Sequence, residues 1–159
     1  MYFFSFLIDV AVMLAFPAGL GLLIWLLVRP TPQRDAAAAQ AWANFHAYTA
    51  VNRWQLLYIH DVYEDWDRGS KAHVSLYDGT TTAGGRRDSW FWWHHVRPRS
   101  VVAVNRIGEG WGSHTGKNGV LYIGDEHTHR SGVQATFGAA ELARARRHWR
   151  GQQHLPGAA

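Results

Sequence analysis

The chain has 159 residues, with 16 Lys and Arg against 12 Asp and Glu, and it contains no cysteine. This length allows one modest domain rather than two, and the missing cysteine excludes disulfides, thiol nucleophiles, thiolate zinc sites and iron–sulfur clusters. Hydrophobic residues make up 47% and charged residues 18%, which excludes a chain that is disordered throughout.

The first 28 residues predict a transmembrane anchor. Asp9 is their only charged residue, and Val10–Val28 is an uncharged run of 19 residues. As a helix at about 1.5 Å per residue, this run covers about 28 Å, close to the hydrocarbon thickness of a bilayer. Trp25 lies before Arg29 as an interfacial aromatic residue does. A cleaved signal peptide is the rival interpretation, but no Lys or Arg precedes Arg29 and the apolar run is too long.

The basic residues beside this segment predict its orientation. Arg29 and Arg34 follow the apolar run, and no basic residue precedes it. Because positive charge stays on the cytoplasmic side, we expect the N-terminus outside and the C-terminal domain in the cytoplasm. The expected location is the cell inner membrane, crossed once.

A juxtamembrane linker and a short helix are predicted over residues 29–52. Pro32 is interpreted as the stop to the membrane helix, and Asp35 as the N-cap of a helix over Ala36–Ala50. Trp42 and Phe45 fall at helical spacing. We expect this helix either to lie along the membrane surface or to pack on the domain that follows.

Residues 53–150 predict a β-rich domain, because short segments rich in aromatic and β-branched residues alternate with turns. The expected strands are Trp54–Tyr63, His73–Tyr77, Ser89–Val96, Val101–Asn105, Val120–Gly124 and Val133–Phe137, with Trp111–His114 as a possible seventh. The expected turns are Asp78–Gly79, Gly84–Gly85, Gly108–Gly112 and Lys117–Gly119.

A closing helix is predicted over Ala139–Arg150, with an apolar stripe formed by Leu142, Ala145 and Trp149. Residues 151–159 are expected to be a disordered tail. Six to seven short antiparallel strands followed by one helix predict a small α+β domain, as a barrel or a curled sheet. This element order resembles the pleckstrin-homology-type barrel, which many bacterial membrane proteins carry beside a transmembrane segment.

Histidines provide one candidate chemical site. His127 and His129 are alternate residues, so in a strand they point the same way, as in many metal sites, and Asp125 supplies a further oxygen ligand. His114 is another candidate ligand. The competing interpretation is a polar turn between two strands. The metal interpretation predicts a membrane-tethered, metal-dependent enzyme that holds a divalent transition metal; otherwise no cofactor is expected.

Basic and aromatic residues provide the other candidate site. A cation beside an anionic leaflet contributes about 1 kcal/mol, and Trp prefers the headgroup level of a membrane. Stacking on single-stranded nucleic acid is a weaker alternative, and tryptophans of the core are the competing interpretation. The candidate binding residues are Arg86, Arg87, Trp90, Trp92, Trp93, Arg97, Arg99, Arg144, Arg147 and Arg150.

These features predict a non-enzymatic, membrane-anchored accessory protein. Its β-rich domain is expected to bind a membrane-protein partner, a second copy of the chain or the anionic lipid surface. It is also a candidate subunit of an envelope, secretion or conjugation assembly.

Overall fold

The computed structural model describes residues 31–153. The predicted anchor over residues 1–28 and the last six residues of the predicted tail lie outside this range. Within it, neither helix is both long and apolar enough to cross a bilayer. Helix α1 (Pro32–Val51) comes first and helix α2 (Ala139–Gln153) last. The strands between them are β1 (Gln55–Trp66), β2 (Gly69–Tyr77), β3 (Thr82–Trp92), β4 (Val101–Val104), β5 (Ile107–Gly112), β6 (Lys117–Ile123) and β7 (Val133–Phe137).

The seven strands form one curled, mixed sheet in the order β5-β6-β3-β2-β1-β4-β7. The predicted small α+β domain with a closing helix is confirmed, but the expectation of antiparallel strands throughout is wrong at one pair. β3 and β6 run parallel, with Ser89 beside Leu121 and Phe91 beside Ile123. After β3 the chain crosses to pair β4 with β1, and the β5–β6 hairpin then returns to the other side of the sheet. β5 and β7 remain edge strands, so the sheet is a half-barrel and not the barrel that the pleckstrin-type resemblance implied.

Three of the four predicted turns are wrong, because their glycines lie inside strands. Gly84–Gly85 belongs to β3, Gly108–Gly112 to β5 and Lys117–Gly119 to the start of β6. Glycine weakens a strand but is tolerated at edges and irregular positions, and β5 is an edge strand. The segment that was predicted as a seventh strand from Trp111 is β5, which starts earlier, at Ile107.

The predicted Asp78–Gly79 turn is confirmed. Gly79 has a φ of 106°, which only glycine adopts readily. The carboxylate of Asp78 accepts hydrogen bonds from the backbone N–H groups of Thr80 and Thr81, each at 2.7 Å. These bonds hold the pKa of Asp78 well below its usual range.

Both helices pack on the sheet. α1 begins at Pro32, four residues before the prediction, because proline is well suited to the first turn of a helix. Asp35 therefore lies inside that turn and is not the N-cap. Trp42 is buried against Phe137, with ring centroids 5.0 Å apart. Of the two expectations for this helix, packing on the domain that follows is therefore the one that the structure shows. α2 has the predicted apolar stripe but continues to Gln153, so residues 151–153 are helical and not a disordered tail.

The sheet has an apolar core on each of its faces. On one face, Leu57, Ile59 and Phe91 are fully buried among strand residues. On the other face, Val101 and Leu142 belong to a core shared with α1 and α2. Burying one such side chain contributes about 1.5–3 kcal/mol. The two helices cover only part of the sheet face on which they pack. Polar and aromatic side chains of β1, β2 and β3 occupy the rest of that face.

Candidate functional site

A cleft beside α2 brings together several of the predicted arginines. We call it the arginine cleft; its volume is about 500 Å³. Leu142 and Ala145 turn towards the sheet, and the helical period places Arg146, Arg147 and Arg150 together on one flank of α2. The loop between β3 and β4 adds Arg99, whose backbone N–H donates to the carbonyl of Ile59 at 2.7 Å. The polar side chains that line the cleft belong to Tyr58, Arg99, Arg146, Arg147 and Arg150.

The positive charge of this cleft is only partly compensated. Arg147 pairs with Asp35 at 2.9 Å. Among residues 31–153, it alone of the four arginines has a carboxylate within 4 Å. Arg146 is fixed by aromatic rings, because its guanidinium lies 5.3 Å from the ring centroid of Tyr58 and donates to the Tyr77 hydroxyl at 3.4 Å. Within the described part of the chain, the cleft therefore presents three guanidinium groups that no carboxylate compensates, which suits an anionic ligand.

A second cleft adjoins the first. We call it the tryptophan cleft; its volume is about 690 Å³. It lies between α1, the end of α2 and the turn after β2. Arg146 and Arg150 line both clefts, so the two are neighbours along α2. Its other lining residues are Trp42, Gly79, Thr80, Trp149 and Gln153.

Arg86 and Arg87, which were predicted to belong to the binding surface, lie elsewhere on the sheet. Arg87 pairs with Glu109 at 2.6 Å and also donates to the carbonyl of Gly119. Arg86 lies 3.8 Å from a carboxylate oxygen of Asp61. Both side chains therefore face acidic partners on β1 and β5, and neither lines the clefts beside α2.

Arg97 and Arg144 also stay outside the two clefts. Arg97 is exposed in the β3–β4 loop, where its carbonyl accepts a hydrogen bond from the hydroxyl of Ser100 at 2.6 Å. Arg144 is half-buried on α2. The structure thus joins three of the predicted arginines, Arg99, Arg147 and Arg150, and adds Arg146.

The predicted tryptophans pack against other residues of the fold. Trp92 is buried, and its ring stacks on Trp90 with centroids 3.9 Å apart. The indole N–H of Trp93 donates to the carbonyl of Glu126 at 3.2 Å, and its ring lies 4.2 Å from that of His129. These contacts favour the interpretation of the tryptophans as packing residues.

A buried lysine is the main polar feature that sequence reasoning missed. The side chain of Lys71 is only 5% exposed, and its ammonium lies 2.7 Å from the carboxylate of Glu64. The same ammonium lies over the rings of Trp66 and Trp90, at 4.0 and 4.4 Å from their centroids. Glu64 and Lys71 are direct partners across β1 and β2. The acidic residues of β1 opposite a lysine and a histidine of β2 are the signal that indicates such cross-strand pairs.

A second polar cluster lies near this lysine, on β1, β2 and β3. His73 lies between two carboxylates, with Asp61 at 2.6 Å and Asp88 at 3.3 Å. Burial, together with the neighbouring carboxylate of Asp88, raises the pKa of the Tyr63 hydroxyl. His114 reaches the same hydroxyl at 3.2 Å from the β5–β6 turn. The cluster ties the hairpin to β1, β2 and β3.

Histidines with lowered pKa values predict that the stability of the domain depends on pH. Burial is the largest cause that lowers the pKa of His60, His94 and His114, and positive neighbours such as Lys71 add to it at His114. The Nδ1 atom of His114 is buried and has no hydrogen-bond partner among the described residues, which also disfavours its protonation.

We therefore expect the urea midpoint of unfolding to fall between pH 7.5 and pH 5.5. Below about pH 6.5 the unfolded chain binds protons that the folded histidines resist, so stability is lost as the pH falls. His114→Gln is expected to reduce this dependence, whereas His127→Gln, at an exposed position, leaves it unchanged. A midpoint that rises towards pH 5.5 would contradict the assignment. The lowered pKa values of Asp65 and Asp125 affect stability in a separate pH range, because their stabilising contribution is lost only below about pH 4.

Asp125, His127 and His129, three of the candidate metal ligands, lie in one turn between β6 and β7, whereas His114 lies in the β5–β6 turn. The carboxylate of Asp125 accepts hydrogen bonds from the backbone N–H groups of Thr128 and His127, at 3.1 and 2.9 Å, which lower its pKa. The ring of His129 packs on Trp93. In the part of the chain that the structure describes, no three His, Asp or Glu side chains are grouped as metal ligands. The polar-turn interpretation accounts for these contacts, and the metal site stays a prediction.

Comparison with known proteins gives no match: no protein-family model, curated protein or solved structure is significantly similar to this chain.

Proposed function

We propose that this chain is a membrane-anchored, non-enzymatic interaction protein whose domain binds the anionic lipid surface through the arginine cleft. The observation that carries the proposal is the convergence of four arginines, from the β3–β4 loop and from α2, on one cleft. Each cation near an anionic surface contributes about 1 kcal/mol, so a cluster of uncompensated guanidinium groups supports useful affinity.

The predicted anchor over residues 1–28 would make weak contacts sufficient. A tether keeps the domain at a high effective concentration beside its target, so binding becomes an intramolecular event. Helix α1 follows the predicted anchor closely along the chain and packs on the same core as α2. An acidic segment of a membrane-protein partner is the other occupant that this charge would suit, within a larger envelope, secretion or conjugation assembly.

Vesicle co-sedimentation tests the proposal. A fragment of residues 31–159, checked for folding by circular dichroism, is expected to bind vesicles containing phosphatidylglycerol and to ignore pure phosphatidylcholine. Changing both Arg99 and Arg150 to Glu is expected to lower the partition coefficient at least about 30-fold, which corresponds to about 2 kcal/mol for the two lost cations. Binding should also weaken as salt is raised.

The matched control changes Arg53 and Lys117 to Glu, which alters the net charge equally at two exposed positions outside the cleft. We expect only a few-fold loss for this variant. An equal loss in both variants would show that net charge and not the cleft governs binding. A fragment that ignores anionic vesicles would contradict the proposal, and capture of an acidic membrane protein by the full chain would then favour the other occupant.

A further inference from the structure

We infer that the tryptophan cleft takes an alkyl chain, so that the two clefts together bind one anionic amphiphile, with its headgroup on the arginines and its chain against Trp42 and Trp149. This inference rests on the proposed function and names the ligand class of the same site. The shared chemistry is an alkyl chain carrying one anionic group, whether it comes from a membrane lipid or from a free alkyl anion.

Two indole rings, those of Trp42 and Trp149, provide an apolar wall for a chain in the tryptophan cleft, while Thr80 and Gln153 line it beside the two arginines. Trp42 and Trp149 pack edge to face with centroids 6.4 Å apart, and both belong to the core between the helices and the sheet. Gly79 contributes no side chain to the opposite wall. The cleft volume, about 690 Å³, exceeds what a small headgroup needs. Each methylene of a bound chain that the indole rings remove from water stabilises the complex.

The charge at one end of this cleft selects the headgroup. Arg146 and Arg150 belong to both clefts, so a ligand whose chain lies against the tryptophans has its charged end beside the guanidinium groups. Arg146 is positioned by Tyr58 and Tyr77 and needs no rearrangement to receive it. Among the described residues no carboxylate lies within 4 Å of either arginine, so an anionic headgroup meets no opposing charge there.

Calorimetry with a series of alkyl phosphates tests the inference. The full chain is held in phosphatidylcholine nanodiscs, and binding of butyl, hexyl and octyl phosphate is corrected for empty nanodiscs. If the chain enters the cleft, affinity is expected to rise about fourfold for each added methylene. Equal affinity for butyl and octyl phosphate would overturn the inference and leave the proposed function untouched. A rise with chain length in a protein that ignores anionic vesicles would support the inference and contradict the proposed function.

Two neighbouring substitutions locate the chain. Gln153→Trp fills the cleft from its exposed wall, and we expect it to abolish the dependence on chain length. Gln152→Trp, one residue away and outside the cleft lining, should keep it. Arg150→Gln should lower affinity about fivefold at every chain length, because it removes one cation from the headgroup end. A chain-length dependence that persists in Gln153→Trp would place the alkyl group elsewhere and overturn the inference.

Discussion

Gly69→Ala is expected to destabilise the domain by about 3–5 kcal/mol, the largest effect that we predict for a single substitution. Gly69 follows the two-residue turn between β1 and β2 and has a φ of 123°, where residues with a side chain are strained by about 1–3 kcal/mol. An added Cβ would also overlap the carbonyl oxygen of Phe91, which is backbone and cannot rotate away. The substitution must therefore distort the β2–β3 ladder at the pair of Gly69 with Trp92.

Urea unfolding of the domain measures this effect. Gly85→Ala is the matched control, because Gly85 also lies in a strand but an added Cβ there meets open space and no unusual φ. We expect the control to change stability by less than about 1 kcal/mol, since a glycine-to-alanine change at a compatible position acts mainly on the unfolded chain. Equal effects of the two substitutions would mean that the turn is not formed as described.

Glu64→Gln is expected to destabilise the domain by about 2 kcal/mol, and more than Lys71→Met does. The reason is the unequal exposure of the pair, since the side chain of Lys71 is 5% exposed and that of Glu64 is 34% exposed. Removing the negative charge leaves a buried ammonium that water reaches poorly, which costs more than losing a hydrogen bond. Removing the ammonium leaves a carboxylate that water can solvate.

Lys71→Met should cost less than about 1 kcal/mol, because a thioether of similar length makes favourable contacts between the rings of Trp66 and Trp90. The double variant should then recover most of the loss caused by Glu64→Gln. Equilibrium unfolding of the three variants forms a double-mutant cycle, which isolates the coupling between the two side chains. A greater loss in Lys71→Met than in Glu64→Gln would show that the ion pair is not buried as described.

Local patterns in the sequence determined much of the secondary structure. The β-branched runs Val101–Val104 and Val133–Phe137 form β4 and β7 within a residue of the predicted bounds. The stripe of Leu142 and Ala145 predicted the buried side of α2, since helical period alone decides which residues share a face. The glycines of β3, β5 and β6 were wrongly predicted to form turns, because glycine suits both a turn and an edge or irregular strand.

Part of the candidate site was also predictable. Arg147 and Arg150 share a flank of α2 by period alone. The partnership of Arg99 with them was not predictable, because the loop before β4 and the terminal helix meet only after β1 has paired with β4. The separation of Arg86 and Arg87 from this group has the same origin, since their acidic partners come from β1 and from β5.

By itself, then, the sequence determined the contrast between an apolar first segment and a more polar remainder, the strand-rich composition of the domain and the amphipathic character of its last helix. These properties depend on neighbours within a few positions along the chain. Only the tertiary structure decided that β3 lies parallel to β6, that Lys71 is enclosed by two tryptophans and that four arginines share one cleft. Each of these depends on pairing between segments far apart in sequence, where the order of the strands and not local propensity determines which side chains meet.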